Sequence, residues 1–366
     1  MAGGVGTRFW PESREARPKQ LLNIVSKGDS LLELTLRRVS KFADVRDTLI
    51  ITNRYHLNAL RKQASGIPQE NIIAEPLGRN TAPCIALAAR ILQDQVGEDA
   101  VMVALPADHL IKNEEEFTRI IERGARLAKM TEGLVTIGIH PTRPETGYGY
   151  LQLDEEQLPS QKELPDFSEF ELRDIFHVKR FAEKPDKETA KRFVESGDFL
   201  WNSGMFIWTV KAIEQALSMH TEEILEHLKN LPLPNANDFD AKLADAYSKI
   251  RGVSIDYGVM EQAKNVYVLR AGALGWSDVG SWDEVWRLAE KDLQNNVIDE
   301  GKNIVVRNAK GCLVLSKSEE LVVLSGVSDL IVVHSGDAIL ITNRENAQSV
   351  KDVVDYLKRN NRSEYL

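Results

Sequence analysis

A chain of 366 residues is too long for one ordinary core and suits two domains, or one large domain with an appendage. Its 43% hydrophobic and 28% charged residues exclude collagen-like, disordered and disulfide-scaffold classes. With 46 Lys and Arg against 55 Asp and Glu, the net charge is −9. That balance argues against general binding to nucleic acid or anionic membranes and leaves room for a local basic pocket around a small phosphate. Cys84 and Cys312 are far apart and imply neither a disulfide framework nor a thiolate metal site. No apolar run has the roughly 18–20 residues a bilayer span needs, and no secretory pattern opens the chain. A cytoplasmic protein is expected.

The first element is a turn, Ala2-Gly3-Gly4-Val5-Gly6-Thr7-Arg8, followed by Phe9-Trp10-Pro11 and Arg17-Pro18-Lys19-Gln20. Its glycines let the backbone approach a ligand and aim N–H groups at phosphate oxygens, while Arg8 and Lys19 add positive charge. The dinucleotide fingerprint fails because Phe9 stands where a third glycine belongs, and no Gly-Lys-Ser/Thr follows as a P-loop requires. Thr48–Thr52 reads as a buried strand, and Ala82–Val96 as a helix capped by Asn80 or Thr81. Ala100–Leu105 is another strand, Glu114–Met130 an amphipathic helix, and Leu134–Ile139 a third strand. Continuous apolar strands between helices predict a doubly wound, mostly parallel α/β sheet covered on both faces.

Leu153–Glu171 is acidic and reads as a surface excursion, with a strand over Ile175–Phe181 after it. Helices are expected at Lys187–Ser196, Lys211–Met219, Phe239–Ile250 and Trp282–Ala289. Short β-type triplets then begin at Ile304, Leu313, Val322, Ile331 and Ile339. This near-nine spacing predicts a small all-β unit, a stacked solenoid or a meander. Asn343–Arg359 reads as a closing amphipathic helix. The boundary falls near Lys291–Glu300, giving domains 1–292 and 293–366.

The Gly3–Pro11 and Pro18-Lys19-Gln20 segments resemble the signature of sugar-nucleotide pyrophosphorylases, in the mannose-1-phosphate guanylyltransferase branch. Ordered matches continue along the chain: Glu75-Pro76 with Arg79–Pro83, Pro106–His109, Glu145–Tyr150, Phe181–Pro185, Trp201–Phe206, Ser254–Tyr257 and Trp276–Gly280. Ala182 replaces a Val common in the family's sugar motif. The resemblance implies attack by mannose 1-phosphate on the α-phosphorus of GTP, which yields GDP-mannose and diphosphate. The nucleophile is already anionic at neutral pH, so the work is positioning and charge stabilisation.

By the same resemblance Gly3, Gly4, Gly6 and Thr7 cradle the nucleotide, and Arg8, Lys19 and Lys184 are the catalytic cations. Asp108 and Asp278 share one Mg²⁺; a lone Asp in a loop is otherwise a cap or turn residue. Lys184 grips the sugar phosphate, Glu183 accepts from sugar hydroxyls, and Asn202 with the backbone around Gly147 completes the pocket. The bland alternatives are a surface Glu–Lys pair and plain turn glycines at Gly147 and Gly149. Guanine presents N1–H and N2–H₂ side by side, which suits a carboxylate. Glu75 lies in the right region, unless it is only a loop residue, and Asn80 or nearby backbone could read O6.

No histidine cluster has metal spacing. His109 reads as a supporting residue, and Trp10, Trp201, Trp276, Trp282 and Trp286 as packing residues. The resemblance also implies a C-terminal left-handed β-helix and, because the chain stops at Leu366, no isomerase activity. Two rivals stand beside it: a nucleotidyltransferase of the same fold with another base or sugar, and a catalytically silent sugar-nucleotide sensor. The chain is compatible with a homodimer, and no feature fixes the oligomeric state. The family also places an apolar strand before the glycines, where this chain opens at Met1-Ala2-Gly3. The chain is therefore expected to be truncated by one strand, to fold poorly or be inactive, and to be rescued by about six apolar β-formers placed ahead of Ala2.

Overall fold

The computed structural model describes residues 1–26, 28–299 and 303–366; Glu300, at the far end of the expected boundary region, lies outside the described residues. The N-terminal part runs α1 (Leu31–Val39), β1 (Ile50–Asn53), α2 (Leu57–Gln63), β2 (Ile72–Glu75), α3 (Thr81–Val96), β3 (Val101–Ala104), α4 (Glu114–Thr131) and β4 (Leu134–Ile139). It continues with β5 (Gly149–Asp154), α5 (Glu169–Leu172), β6 (Ile175–Glu183), α6 (Lys187–Ser196), β7 (Phe199–Thr209), α7 (Val210–His220), α8 (Glu222–Leu228), α9 (Phe239–Lys249), β8 (Val266–Arg270) and α10 (Trp282–Leu288).

Helix starts follow local chemistry. Ser30 and Glu33 form a reciprocal capping box on α1, Asn80 caps α3, and Asp186 caps α6. Each satisfies N–H groups that the first helical turn leaves unpaired. Among the described residues no helix is long and apolar enough to cross a membrane.

The main sheet has the order β3-β7-β4-β8-β6-β5. Within it β4 and β8 are parallel, while β7 runs antiparallel to β3, β4 and β5. The parallel share is smaller than the apolar runs suggest. Strand β7 is buried along nearly its whole length, and a strand covered on both faces is apolar whichever way it runs. The acidic 153–171 segment also differs from a plain surface excursion. Leu164 and Phe167 are only 2% and 1% exposed and pack with Phe117, Ile120 and Ile121 of α4.

Strands β1 and β2 form a separate parallel pair. Met1 and Ala2 lie between this pair and β3. The Ala2 N–H donates to Ile51 O at 2.8 Å, the Met1 amino group to Leu105 O at 2.9 Å, and the Ala107 N–H to Met1 O at 3.0 Å. Beside them is an apolar cavity of about 600 Å³ lined by Leu49, Ile50 and Ile51 on one side and Val101–Leu105 on the other. Helices α1, α3 and α4 close it. Poorly filled apolar space costs dispersion contacts and transfer energy. A variant with about six apolar β-formers ahead of Ala2 is expected to melt at least 5 °C higher, since about 1 kcal/mol moves Tm by a few degrees. An unchanged Tm would show that the cavity does not admit a strand.

The C-terminal part contains β9 (Val297–Ile298), β10 (Ile304–Arg307), β11 (Leu313–Ser316), β12 (Val322–Ser325), β13 (Leu330–Ser335), β14 (Ala338–Asn343) and α11 (Val350–Arg359). Ile304 pairs with Val322 and Leu313 with Ile331, both in parallel. Alternate strands therefore stack, and the nine-residue spacing marks half a coil. This is the solenoid rather than the meander, closed by the antiparallel β13–β14 hairpin. The unit buries Leu313, Ile331, Val333, Val350 and Val354 in one cluster with Phe9, Trp10, Val279 and Trp282. Trp10 Nε1 donates to Tyr365 O at 2.8 Å, so the appendage braces the residues directly after the glycine turn.

Candidate active site

The glycine turn is built around Lys19. Gly6 has φ +73°, and a Cβ there would lie 2.3 Å from the Cβ of Lys19. Only glycine tolerates both the backbone and the contact. Lys19 N–H donates to Val5 O at 3.1 Å, Gln20 Nε2 to Ala2 O at 2.6 Å, and Ser13 Oγ to Gly6 O at 2.7 Å. These bonds fix the turn against the Pro18–Gln20 segment. Gly4 has nothing within 4 Å of a Cβ position, Arg8 is exposed, and Thr7 begins a short 3₁₀ turn.

Lys19 is buried, and its ammonium joins two distant loops. Nζ donates to Asp108 Oδ2 at 2.8 Å and to the Asp278 carbonyl at 2.6 Å. The loops are also tied by reciprocal backbone bonds between Leu110 and Ser277, at 2.9 and 3.0 Å. Burial pushes the Asp108 carboxyl up, but the charge and hydrogen bond of Lys19, with His109 and the Met1 ammonium, together outweigh it and hold the group below the usual carboxylate range. His109 is a supporting residue here: its Nδ1 accepts from Trp276 Nε1 at 3.2 Å.

A second cluster surrounds Asn202 on β7. Its Nδ2 donates to Asp256 Oδ1 at 3.0 Å, while its Oδ1 accepts from Thr136 Oγ1 at 3.0 Å and Gly204 N–H at 3.2 Å. Glu183 ends β6 and forms an ion pair with Lys184, whose φ of +49° lies in the left-handed region. Gly149, rather than Gly147, is the glycine that makes room for this cluster. A Cβ at Gly149 would lie 2.4 Å from Glu183 Oε2, whereas the exposed Gly147 donates its N–H to Glu145 Oε1 at 3.2 Å. Burial, with Glu183 nearby, pushes the Asp256 carboxyl up to about 6.

Tyr148 connects the two clusters. Its hydroxyl donates to Asp278 Oδ1 at 2.5 Å, and its carbonyl accepts from Lys184 N–H at 3.2 Å. A third group lies at the end of β2. Glu75 is 6% exposed, accepts the Tyr247 hydroxyl at 3.0 Å, and turns its other oxygen toward Gly3. Asn80 uses its side-chain oxygen to cap Thr81 N–H at 2.9 Å.

The nucleotidyl transferase family model matches residues 1–295, and a MannoseP isomerase/GMP-like beta-helix domain model matches residues 301–357. Mannose-1-phosphate guanylyltransferases from Klebsiella pneumoniae and Escherichia coli are each 39% identical over 370 residues, covering all of this chain and 74% of the relative. The chain belongs to the mannose-1-phosphate guanylyltransferase family. A crystal structure described as mannose-1-phosphate geranyltransferase from Thermus thermophilus superposes with TM-score 0.83 at 32% identity, covering 98% of both chains.

Three residues that the structure bonds to these candidate groups were not singled out from sequence: Tyr148, Tyr247 and Asp256. Tyr148 and Asp256 lie inside motifs already quoted, so their positions were visible and their contacts were not. Tyr247 lies in the amphipathic stretch of α9 and looks like any buried aromatic; no local signal distinguishes it.

Proposed function

We propose that this chain makes GDP-mannose and diphosphate from GTP and mannose 1-phosphate. The observation that carries the reading is one bonded run, Lys19–Asp278–Tyr148–Lys184, from the glycine turn to the Glu183–Lys184 pair. An oxygen of the sugar phosphate forms a bond to the α-phosphorus of GTP. The bond from that phosphorus to the bridging oxygen breaks, and diphosphate leaves with the electron pair. No proton has to be removed from the nucleophile.

Gly3, Gly4, Gly6 and Thr7 offer backbone N–H groups to the phosphates, with Arg8 and Lys19 as counter-charges. Glu75 accepts from the guanine edge and Asn80 borders it. Lys184 holds the sugar phosphate, and Glu183, Asn202 and the backbone at Gly147 meet the sugar hydroxyls. Asp108 and Asp278 are hard oxygen donors of the kind Mg²⁺ takes. Among the described residues no group of three or more His, Cys, Asp or Glu could hold a metal, so substrate phosphates and water would complete the shell. When bound, the ion would neutralise phosphate charge. We place the domain boundary at 292/293 and the enzyme in the cytoplasm, where a GTP supply exists and the buried free thiols Cys84 and Cys312 stay reduced.

Diphosphate release is measured with each nucleoside triphosphate and each sugar 1-phosphate. GTP with mannose 1-phosphate is expected to be fastest. A faster alternative pair would reassign the base or the sugar, and binding without release would make the chain a sensor. Lys184→Ala is expected to raise KM for mannose 1-phosphate about tenfold or more and leave KM for GTP within about twofold, given the strength of a charged hydrogen bond. An effect confined to GTP would move Lys184 to the nucleotide side.

A further inference from the structure

Glu75 ends β2, and its two oxygens face different elements. Oε1 accepts the hydroxyl of Tyr247, a fully buried residue of α9 that stands 172 positions away. Oε2 faces the glycine turn, where a Cβ at Gly3 would lie 3.4 Å from it. The absence of a side chain at Gly3 leaves that oxygen uncovered. Tyr247 is itself held in place, because Arg79 Nε donates to its carbonyl at 3.1 Å. The other titratable or charged groups facing Glu75 are the Met1 ammonium and the Cys84 thiol of α3.

We propose that Tyr247 is a positioning residue for base choice: by donating to Oε1 it holds Glu75 as an acceptor-only carboxylate whose Oε2 meets the nucleotide base. This rests on the reading that Glu75 contacts the base. A carboxylate accepts from the paired N1–H and N2–H₂ of guanine. Once Oε2 is protonated it becomes a donor, which suits the acceptor N1 of adenine and opposes the N1–H of guanine. The protonation state of one side chain thus decides which purine fits.

Burial pushes the Glu75 carboxyl up to about 7, and the Tyr247 hydrogen bond acts in the opposite direction. Above that pH the carboxylate dominates and guanine is favoured. Below it the neutral acid dominates and adenine gains. Loss of the Tyr247 hydroxyl removes stabilisation of the charged form, so the changeover moves to higher pH.

The test is the ratio of kcat/KM for GTP to that for ATP, at saturating mannose 1-phosphate, between about pH 6 and about pH 8. In the unmodified protein the ratio is expected to rise through about pH 7. Tyr247→Phe should move that rise to higher pH and lower the ratio at neutral pH about tenfold, the usual worth of a hydrogen bond to a charged group, with KM for mannose 1-phosphate unchanged. A 3-fluorotyrosine at 247, a stronger donor of the same shape, should move the rise to lower pH. An unmoved midpoint in both variants, or equal losses for GTP and ATP, would overturn the proposal. Glu75→Gln separates the two layers. An unchanged base preference there removes Glu75 from base reading altogether, and a changed preference there beside a silent Tyr247→Phe sinks only the role of Tyr247.

Discussion

Asp278→Asn is expected to lower kcat by about a hundredfold to a thousandfold while leaving Tm nearly unchanged. The substitution removes one negative charge and little else. The backbone carbonyl that receives Lys19 is untouched, and an amide oxygen can still accept from Tyr148. Asp108→Asn should cost as much turnover and also lower stability. Its carboxylate is the ion-pair partner of Lys19, whose side chain is 7% exposed against 35% for that of Asp108. Leaving a buried ammonium short of its counter-ion costs about 1–3 kcal/mol. Steady-state kinetics and thermal melts on both variants check this pair of results. Turnover like that of the unmodified protein in either variant would take that residue out of the mechanism.

Gly6→Ala should be nearly as damaging, by a different route. At φ +73° an added Cβ costs about 1–2 kcal/mol in backbone conformation. It would also lie 2.3 Å from the Cβ of Lys19, so Lys19 itself must move. That residue sets the spacing of the Asp108 and Asp278 loops, and misplacement of about 1 Å in such a group costs about a hundredfold in kcat/KM. Gly4→Ala is the control, because nothing lies within 4 Å of a Cβ there. Its melting temperature should stay within about 2 °C of the unmodified protein. Unmodified kcat/KM in Gly6→Ala would show that Lys19 tolerates displacement.

Much of the arrangement was visible before the fold. Helix α6 falls on its expected bounds because Asp186 and Gly197 mark its ends by local chemistry alone. The β-unit was visible as a nine-residue period, and only strand pairing showed that period to be half a coil. Gly147 and Gly149 are equivalent as letters. Glu183, packed against one of them from a different strand, makes them different.

The sequence by itself determined the α/β architecture with its β-appendage, the glycine turn with its cations, and the membership of Asp108, Lys184, Asn202 and Asp278 in ordered motifs. The architecture and the turn are short-range patterns, written within a few residues by backbone freedom, apolar periodicity and charge, while the motif membership rests on resemblance to the family. Tertiary structure alone decided which groups meet. It placed Lys19 between two loops 89 and 259 residues away, set Tyr148 against Asp278, and directed Tyr247 to Glu75. The physical reason is that a side-chain hydrogen bond between distant elements depends on how buried apolar faces dock those elements, and no local spacing encodes that docking.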